Sequence, residues 1–384
     1  MTKPARIDKT RPPASSARRR TLALCLVAGT TALPGCGPKP ALRIGFLGGL
    51  SDRGAELGEA GRNGVMLAVE ERNQAGGIGG RTVELVVEDD GQNPQQAAGA
   101  MRRLTQAHVL AVIGPFTSAM AAAVVPIANE ARLLTVSPTV TSGDFVGRDD
   151  HFVRVNRTTR DNAVDYAAIL AARGQTRLAV AYDLRNRSFT ESWLNEFRTA
   201  IAAKGGSVAT AVAFESGADV AFADIVGRLA ASRPNGLVFI AQAVDVARLA
   251  QQAARLAPGL PMSAAEWAAG EALLELGGRA VEGLLIAQAY NREDPNPRFR
   301  AFMAAYAARF GRDPGYAAIN AYDAAIVLFE SLAQRRGEEP LKETVLRISR
   351  FDGLQQTMTF DQFGDTGRRV YFTEVRQGRY ALVK

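Results

Sequence analysis

The sequence predicts an α/β fold: two doubly wound, parallel-sheet lobes. Three observations carry that prediction. From residue 42 onward, short apolar runs rich in β-branched residues alternate with helical stretches. The runs are apolar continuously rather than at every second position, the pattern of strands buried on both faces, and strand–helix–strand repetition then calls for parallel sheets with right-handed crossovers. The chain of 384 residues exceeds one ordinary core, and its strands fall into two sets.

The first set comprises "LRIGFLG" (42–48), "TVELVVED" (82–89), "VLAVIG" (109–114) and "LLTVS" (133–137). Between them, a helical stretch over 57–77 ends on paired glycines, and another over 93–106 opens with Asn93 as cap and Pro94 behind it. "HFVRVNRTTRDN" (151–162) is polar for a strand and reads as a crossover to the second lobe. Helices over 161–174 and 189–206 each end at glycine, which accepts the left-handed conformation common there. The second set of strands is "RLAVAY" (177–182), "SVATAVAF" (207–214), "GLVFIAQ" (236–242) and "LLIAQ" (284–288). Long helices follow over 298–311 and 316–337, and residues 355–384 read as strands and tight turns. The chain therefore crosses between its lobes more than once.

The N-terminal 35 residues stand apart. They hold seven basic residues against Asp8 alone, so they carry six of the seven net positive charges. The remainder is nearly neutral and makes no overall electrostatic case for nucleic acid. "ARRR" (17–20) followed by the apolar "TLALCLVAGTTAL" (21–33) is too short for an ordinary membrane span and fits a signal peptide. "LPGC" (33–36) resembles a bacterial lipobox, which makes Cys36 the expected lipidated N-terminus and 36–41 a tether. The other reading is an ordinary signal peptide with an incidental cysteine. Cys25 and Cys36 are the only cysteines, so the mature chain would have no disulfide.

Two hydroxyl-rich turns lie at the ends of successive strands of the first set. "VIGPFTSAM" (112–120) offers Thr117 and Ser118; "TVSPTVTSG" (135–143) offers Ser137, Thr139, Thr141 and Ser142. In open parallel sheets, ligands bind beyond the carboxyl ends of strands. A helix starting near Phe116 to Ser118 presents unpaired N–H groups and a partial positive charge, so the place suits an anion, and a carboxylate suits the added hydroxyls. Thr117 or Ser118 could also merely cap that helix, and the second turn could be structural.

Catalytic parts are scarce. His108 and His151 are the only histidines, and HExxH, CxxC, GxSxG and Walker A spacings are absent. "GGIGG" (76–80) follows a helix and precedes a strand, the reverse of a dinucleotide fingerprint. Asp89 and Asp90 read as a strand-end pair bonding to neighbouring backbone, with a metal or acid–base pair as the other reading. No cofactor is called for.

The chain resembles periplasmic solute-binding proteins of the leucine/isoleucine/valine-binding type, receptors of branched-chain amino-acid ABC importers. The segment 48–97, with its "NG…GGIGG" core and following "DDGQNPQQA", is similar to that family's opening; 112–142 is similar to its next block, and "YDAA" (322–325) and "FDQFGD" (360–365) match late landmarks. The resemblance implies a type I periplasmic-binding fold with three hinge crossings. The lobes are then expected over 42–156 plus 290–350 and over 157–289 plus 351–384.

It further implies that Ser118, Thr139 and Thr141 hold a ligand carboxylate, with Thr117 beside them. Phe189 matches an aromatic contact from the second lobe, and Glu266 the carboxylate for the ligand's ammonium, with Trp267 as the alternative contact. Phe189 and Trp267 can equally be lobe core, and Glu266 a solvated acid. Leu57 stands where many relatives place an aromatic residue, and Arg185 and Arg187 make the loop after "VAYD" unusually basic. The implied function is an extracytoplasmic, non-enzymatic binding lipoprotein that closes on an amino acid or related small carboxylate or amide and delivers it to a membrane permease. The alternative is a ligand-sensing or regulatory lipoprotein acting through a partner.

Overall fold

The computed structural model describes residues 39–51 and 55–383. The expected signal peptide, Cys36 and the first half of the tether lie outside the described residues.

The chain opens with β1 (Leu42–Gly48), α1 (Ala55–Gln74), β2 (Val83–Asp89), α2 (Pro94–Gln106), β3 (Val112–Ile113), α3 (Ser118–Glu130), β4 (Thr135–Ser137) and β5 (Phe152–Arg154). The five strands form one parallel sheet in the order β2-β1-β3-β4-β5. Asn93 caps α2, accepting from the backbone N–H groups of Gln95 and Gln96, with Pro94 first in the helix. Asp89 accepts from the backbone of Leu50 and Gly91 and from the Ser51 hydroxyl, and Asp90 accepts from the backbone of Gln92.

β5 adds a strand that the sequence reading missed; the expected crossover follows it, still within 151–162. One of the polar residues of this stretch, Arg154, is wholly buried. Its guanidinium pairs with Asp365 at 2.7 Å and donates to the Ser142 carbonyl at 2.7 Å. A partner two hundred residues away makes the strand possible.

The second lobe follows with α4 (Thr159–Ala172), β6 (Arg177–Asp183), α5 (Arg187–Ala202), β7 (Ser207–Phe214), α6 (Phe222–Ala231), β8 (Gly236–Ile240), α7 (Ala243–Leu256), β9 (Met262–Ala264), α8 (Glu271–Gly277) and β10 (Leu285–Gln288). Next come α9 (Pro297–Phe310), α10 (Tyr316–Gln334), α11 (Leu341–Ile348), β11 (Arg350–Asp352), β12 (Thr357–Thr359), β13 (Tyr371–Arg376) and β14 (Arg379–Leu382). The second sheet runs β14-β13-β10-β9-β8-β6-β7, parallel except for the antiparallel pairings of β13. Its two faces are each covered. Ala179, Phe239 and Ile286 pack with Val246 and Leu249 of α7, whereas Val180, Val238 and Ile240 pack with Trp193 and Leu194 of α5.

α10 returns to the first lobe, where Ala321, Ala325 and Phe329 join Ile44, Phe46 and Val136. α1 lies close against it: a Cβ on Gly64 would fall 2.3 Å from the Ala318 carbonyl oxygen. Phe351, Met358 and Phe360 share that same core, so the β11–β12 hairpin belongs with the first lobe. The expected boundary at residue 350 therefore moves, and the last crossing runs between Phe360 and Tyr371. There Arg368 is buried, pairs with buried Asp323 at 2.7 Å and donates to the Val155 carbonyl at 3.3 Å. Asp323 also accepts from the Leu354 backbone at 2.8 Å, a structural role.

Candidate functional site

The carboxyl ends of strands from both sheets face one another, and the residues just past those ends meet in a cleft. Thr117 and Ser118 follow β3, Thr139 and Thr141 follow β4, and Asn156 follows β5. From the opposite lobe, Asn186 and Phe189 follow β6, and Glu266 and Trp267 follow β9. All nine, with Phe116 and Tyr316, line one cavity of about 310 Å³.

The hydroxyls divide by role. Ser137 donates to the Pro115 carbonyl at 2.7 Å and accepts from Val140 N–H. Thr139 donates to the Phe116 carbonyl, and Ser142 caps the short helical turn over 143–145. These three tie the two turns together. Thr141 is different: its Oγ1 is buried and has no hydrogen-bond partner. Thr117 is the N-cap of α3, yet its side chain makes no capping bond. The Ser118 hydroxyl accepts only weakly, from Ser142 N–H at 3.4 Å. The turns thus retain polar atoms beyond what holds them in shape. Gly114 at φ +126° lets them approach β1, since a Cβ there would fall 2.0 Å from the Leu47 carbonyl oxygen.

One expectation is modified. The first N–H groups of α3 are not all open, because Ala119 N–H donates to Asn186 Oδ1 at 3.0 Å across the cleft. Further bonds join the lobes. Ser142 Oγ donates to the Ser188 carbonyl at 2.8 Å, Ser188 Oγ to Asp144 at 2.6 Å, and Gly143 N–H to Ser192 Oγ at 3.0 Å. The cleft is therefore closed on this side.

Glu266 is not a solvated acid. Its carboxylate accepts from Asn162 Nδ2 at 2.6 Å and Trp193 Nε1 at 3.1 Å, and burial pushes its pKa up. Both donors are neutral, and Arg157, whose charge acts on it, is itself paired with Asp165 at 2.8 Å. An ammonium group placed in the cavity would offset that desolvation. Phe189 and Trp267 meet edge to face, with ring centroids 5.8 Å apart, and both line the cavity.

Leu57 lines an adjoining cavity with Glu56, Ala60, Val244 and Ala317; it shares Trp267 and Tyr316 with the first. A third cavity holds Gln92, Asp183, Arg185 and Gln242 and shares Thr117, Asn186 and Trp267 with the first. Arg185 thus reaches the cleft. Arg187 does not line it: its side chain is 63% exposed and lies 3.5 Å from Glu191 on the same helix.

Asn156, Asn162, Asp183, Asn186, Gln242 and Tyr316 escaped the sequence reading. Most follow the carboxyl end of a strand, the one signal that could have found them. Amides and acids in such loops otherwise look like ordinary turn residues.

The sequence profile of the family described as "Periplasmic binding protein" matches residues 41–379. A leucine-, isoleucine-, valine-, threonine- and alanine-binding protein of Pseudomonas aeruginosa is 23% identical over 331 residues, covering 84% of this chain and 87% of that protein. A leucine-binding protein of Thermotoga maritima superposes with a TM-score of 0.83 at 25% identity, covering 90% of this chain and 98% of that one. A branched-chain amino-acid transporter substrate-binding protein of Streptococcus pneumoniae, in complex with isoleucine, superposes at 0.80 with 21% identity, covering 89% of this chain and 99% of that one.

Proposed function

The chain belongs to the periplasmic binding protein family, and from that premise we propose that it is the receptor of an ABC importer and encloses an α-amino acid between its lobes. The ligand's carboxylate takes the N-terminus of α3 and the hydroxyls of Ser118 and Thr141, with Thr117 beside it and Thr139, whose hydroxyl proton goes to the Phe116 carbonyl, bracing the turn. Its ammonium takes Glu266. Phe189, Trp267 and Leu57 flank the side chain. Cys36 carries the lipid that holds the protein at the membrane, and the closed form is what the permease recognises.

The observation that supports this reading is the cavity itself. It is lined from both lobes, and it pairs an unpartnered hydroxyl and a helix N-terminus with a desolvated carboxylate whose two hydrogen-bond donors are both neutral. That is the charge pattern of a zwitterion. A ligand touching both lobes favours the closed population by the contacts it gains only there.

Calorimetric titration of the purified protein with the twenty amino acids tests it. At least one binds, and Ser118→Ala weakens that binding about tenfold or more, the value of a hydrogen bond to a charged group, without lowering the melting temperature. Failure of every amino acid to bind contradicts the proposal.

A further inference from the structure

Past Trp267 the cleft forks. One branch, walled by Leu57, Val244 and Tyr316, is mainly apolar. The other is lined by Thr117, Met120, Asp183, Arg185 and Gln242. Asp183, the last residue of β6, is 1% exposed. Its Oδ1 accepts from the backbone N–H groups of Arg185 and Ser216, both at 3.0 Å. Those two bonds account for its structural role in the turn. Its Oδ2 is buried and has no partner. An orphaned carboxylate oxygen in the interior is costly, and a native structure that keeps one invites a ligand donor.

The charge around this oxygen decides what kind of donor fits. Asp245, in the first turn of α7, is also 1% exposed, and the donor to its Oδ2 is neutral, Gln242 Nε2 at 3.2 Å. Burial pushes the Asp183 carboxyl up to about 6, and the negative charge of Asp245 adds to that rise. Arg185 acts in the opposite sense, but less strongly than Asp245. Arg185 is itself engaged, and it gives Asp183 Oδ2 no hydrogen bond. Two buried carboxylates therefore outweigh the one cation beside them. An anionic tail is repelled there. A neutral donor would fill the open bond but leave the excess negative charge buried. A cationic donor offsets both costs. The approach suits such a group as well: Met120 and Trp267 line the passage, and the methylenes of a long basic side chain cover apolar surface while its head reaches a polar partner.

We propose that this polar branch is a side-chain subsite for the positively charged end of a basic amino acid, lysine or arginine, with Asp183 as the residue that sets the specificity. The inference rests on the proposed function, which fixes the ligand's α-carboxylate at the hydroxyl turns. Arginine and citrulline have nearly the same shape but differ in charge, so comparing them isolates the cation; lysine and norleucine serve in the same way. Calorimetry on the wild-type protein should show arginine or lysine binding more tightly than its uncharged counterpart by about tenfold or more, the value of a hydrogen bond to a charged group. A smaller ratio for both pairs overturns the subsite, and that comparison needs no variant. Asp183→Asn keeps an oxygen for the Arg185 and Ser216 N–H groups and replaces the free acceptor with a donor. It should cut the ratio by about tenfold or more; an unchanged ratio in the folded variant also overturns the subsite. Binding of leucine without a preference for the basic side chains sinks this inference alone. No binding of any amino acid sinks the proposed function and this inference with it.

Discussion

Thr141 carries a hydroxyl that nothing in the protein uses. Its Oγ1 is buried and unpartnered, a cost that folding alone does not justify. Thr141→Val keeps the shape and removes the orphan. The expected outcome is a melting temperature equal to or above the wild type, together with a loss of ligand affinity of about tenfold or more. A lower melting temperature with intact binding would mean that the hydroxyl serves the fold instead. Asp90 supplies a pH prediction at the same scale. Its carboxyl is buried and is pushed up to about 6 by that burial, with Asp89 adding to it. The folded state therefore holds the proton more tightly than the unfolded chain, so the stabilisation is present at low pH and disappears as pH rises through about 6. The melting temperature of the wild type relative to Asp90→Asn should fall between pH 4.5 and 7; a flat or rising difference contradicts the assignment. The hydroxyls at the two turns were legible in the sequence because small alcohols clustered at successive strand ends. Asp183 and Asn186 were not, because only burial separates them from ordinary loop residues.

Elements whose character comes from local pattern were read correctly, and those set by distant partners were not. β1, β7 and the long helices α9 and α10 follow from apolar runs, caps and glycine stops. β5 was missed because its Arg154 looks like a loop residue until Asp365 pairs with it. β9 is three residues long and is a strand only because β8 and β10 flank it. The last crossing was misplaced because the β11–β12 hairpin depends on a core built some three hundred residues earlier. That crossing is anchored by the buried pair of Arg368 and Asp323. Removing one partner strands a buried guanidinium, so Asp323→Ala should destabilise the protein by about 3–5 kcal/mol. Urea unfolding checks this, and a change below about 1 kcal/mol would mean that water or Asn320 satisfies the freed guanidinium N–H groups.

At the scale of the molecule, two lobes meet at the carboxyl ends of their strands. Cross-cleft bonds between Ser142 and Ser188, and between Ala119 and Asn186, hold that meeting on one side. No helix among the described residues is long and apolar enough to cross a membrane. The two-lobe plan was legible from alternation and length, whereas the fork in the cleft was not, because it depends on how the second lobe is set against the first. The central claim is that the first lobe grips a carboxylate, and one titration tests it directly. The best-binding amino acid is compared with its α-amide, nearly the same in shape but with one charged carboxylate oxygen replaced by a neutral NH2 group. Loss of the charge-assisted bonds should weaken the α-amide roughly a hundredfold. Equal affinity for the two would contradict the account.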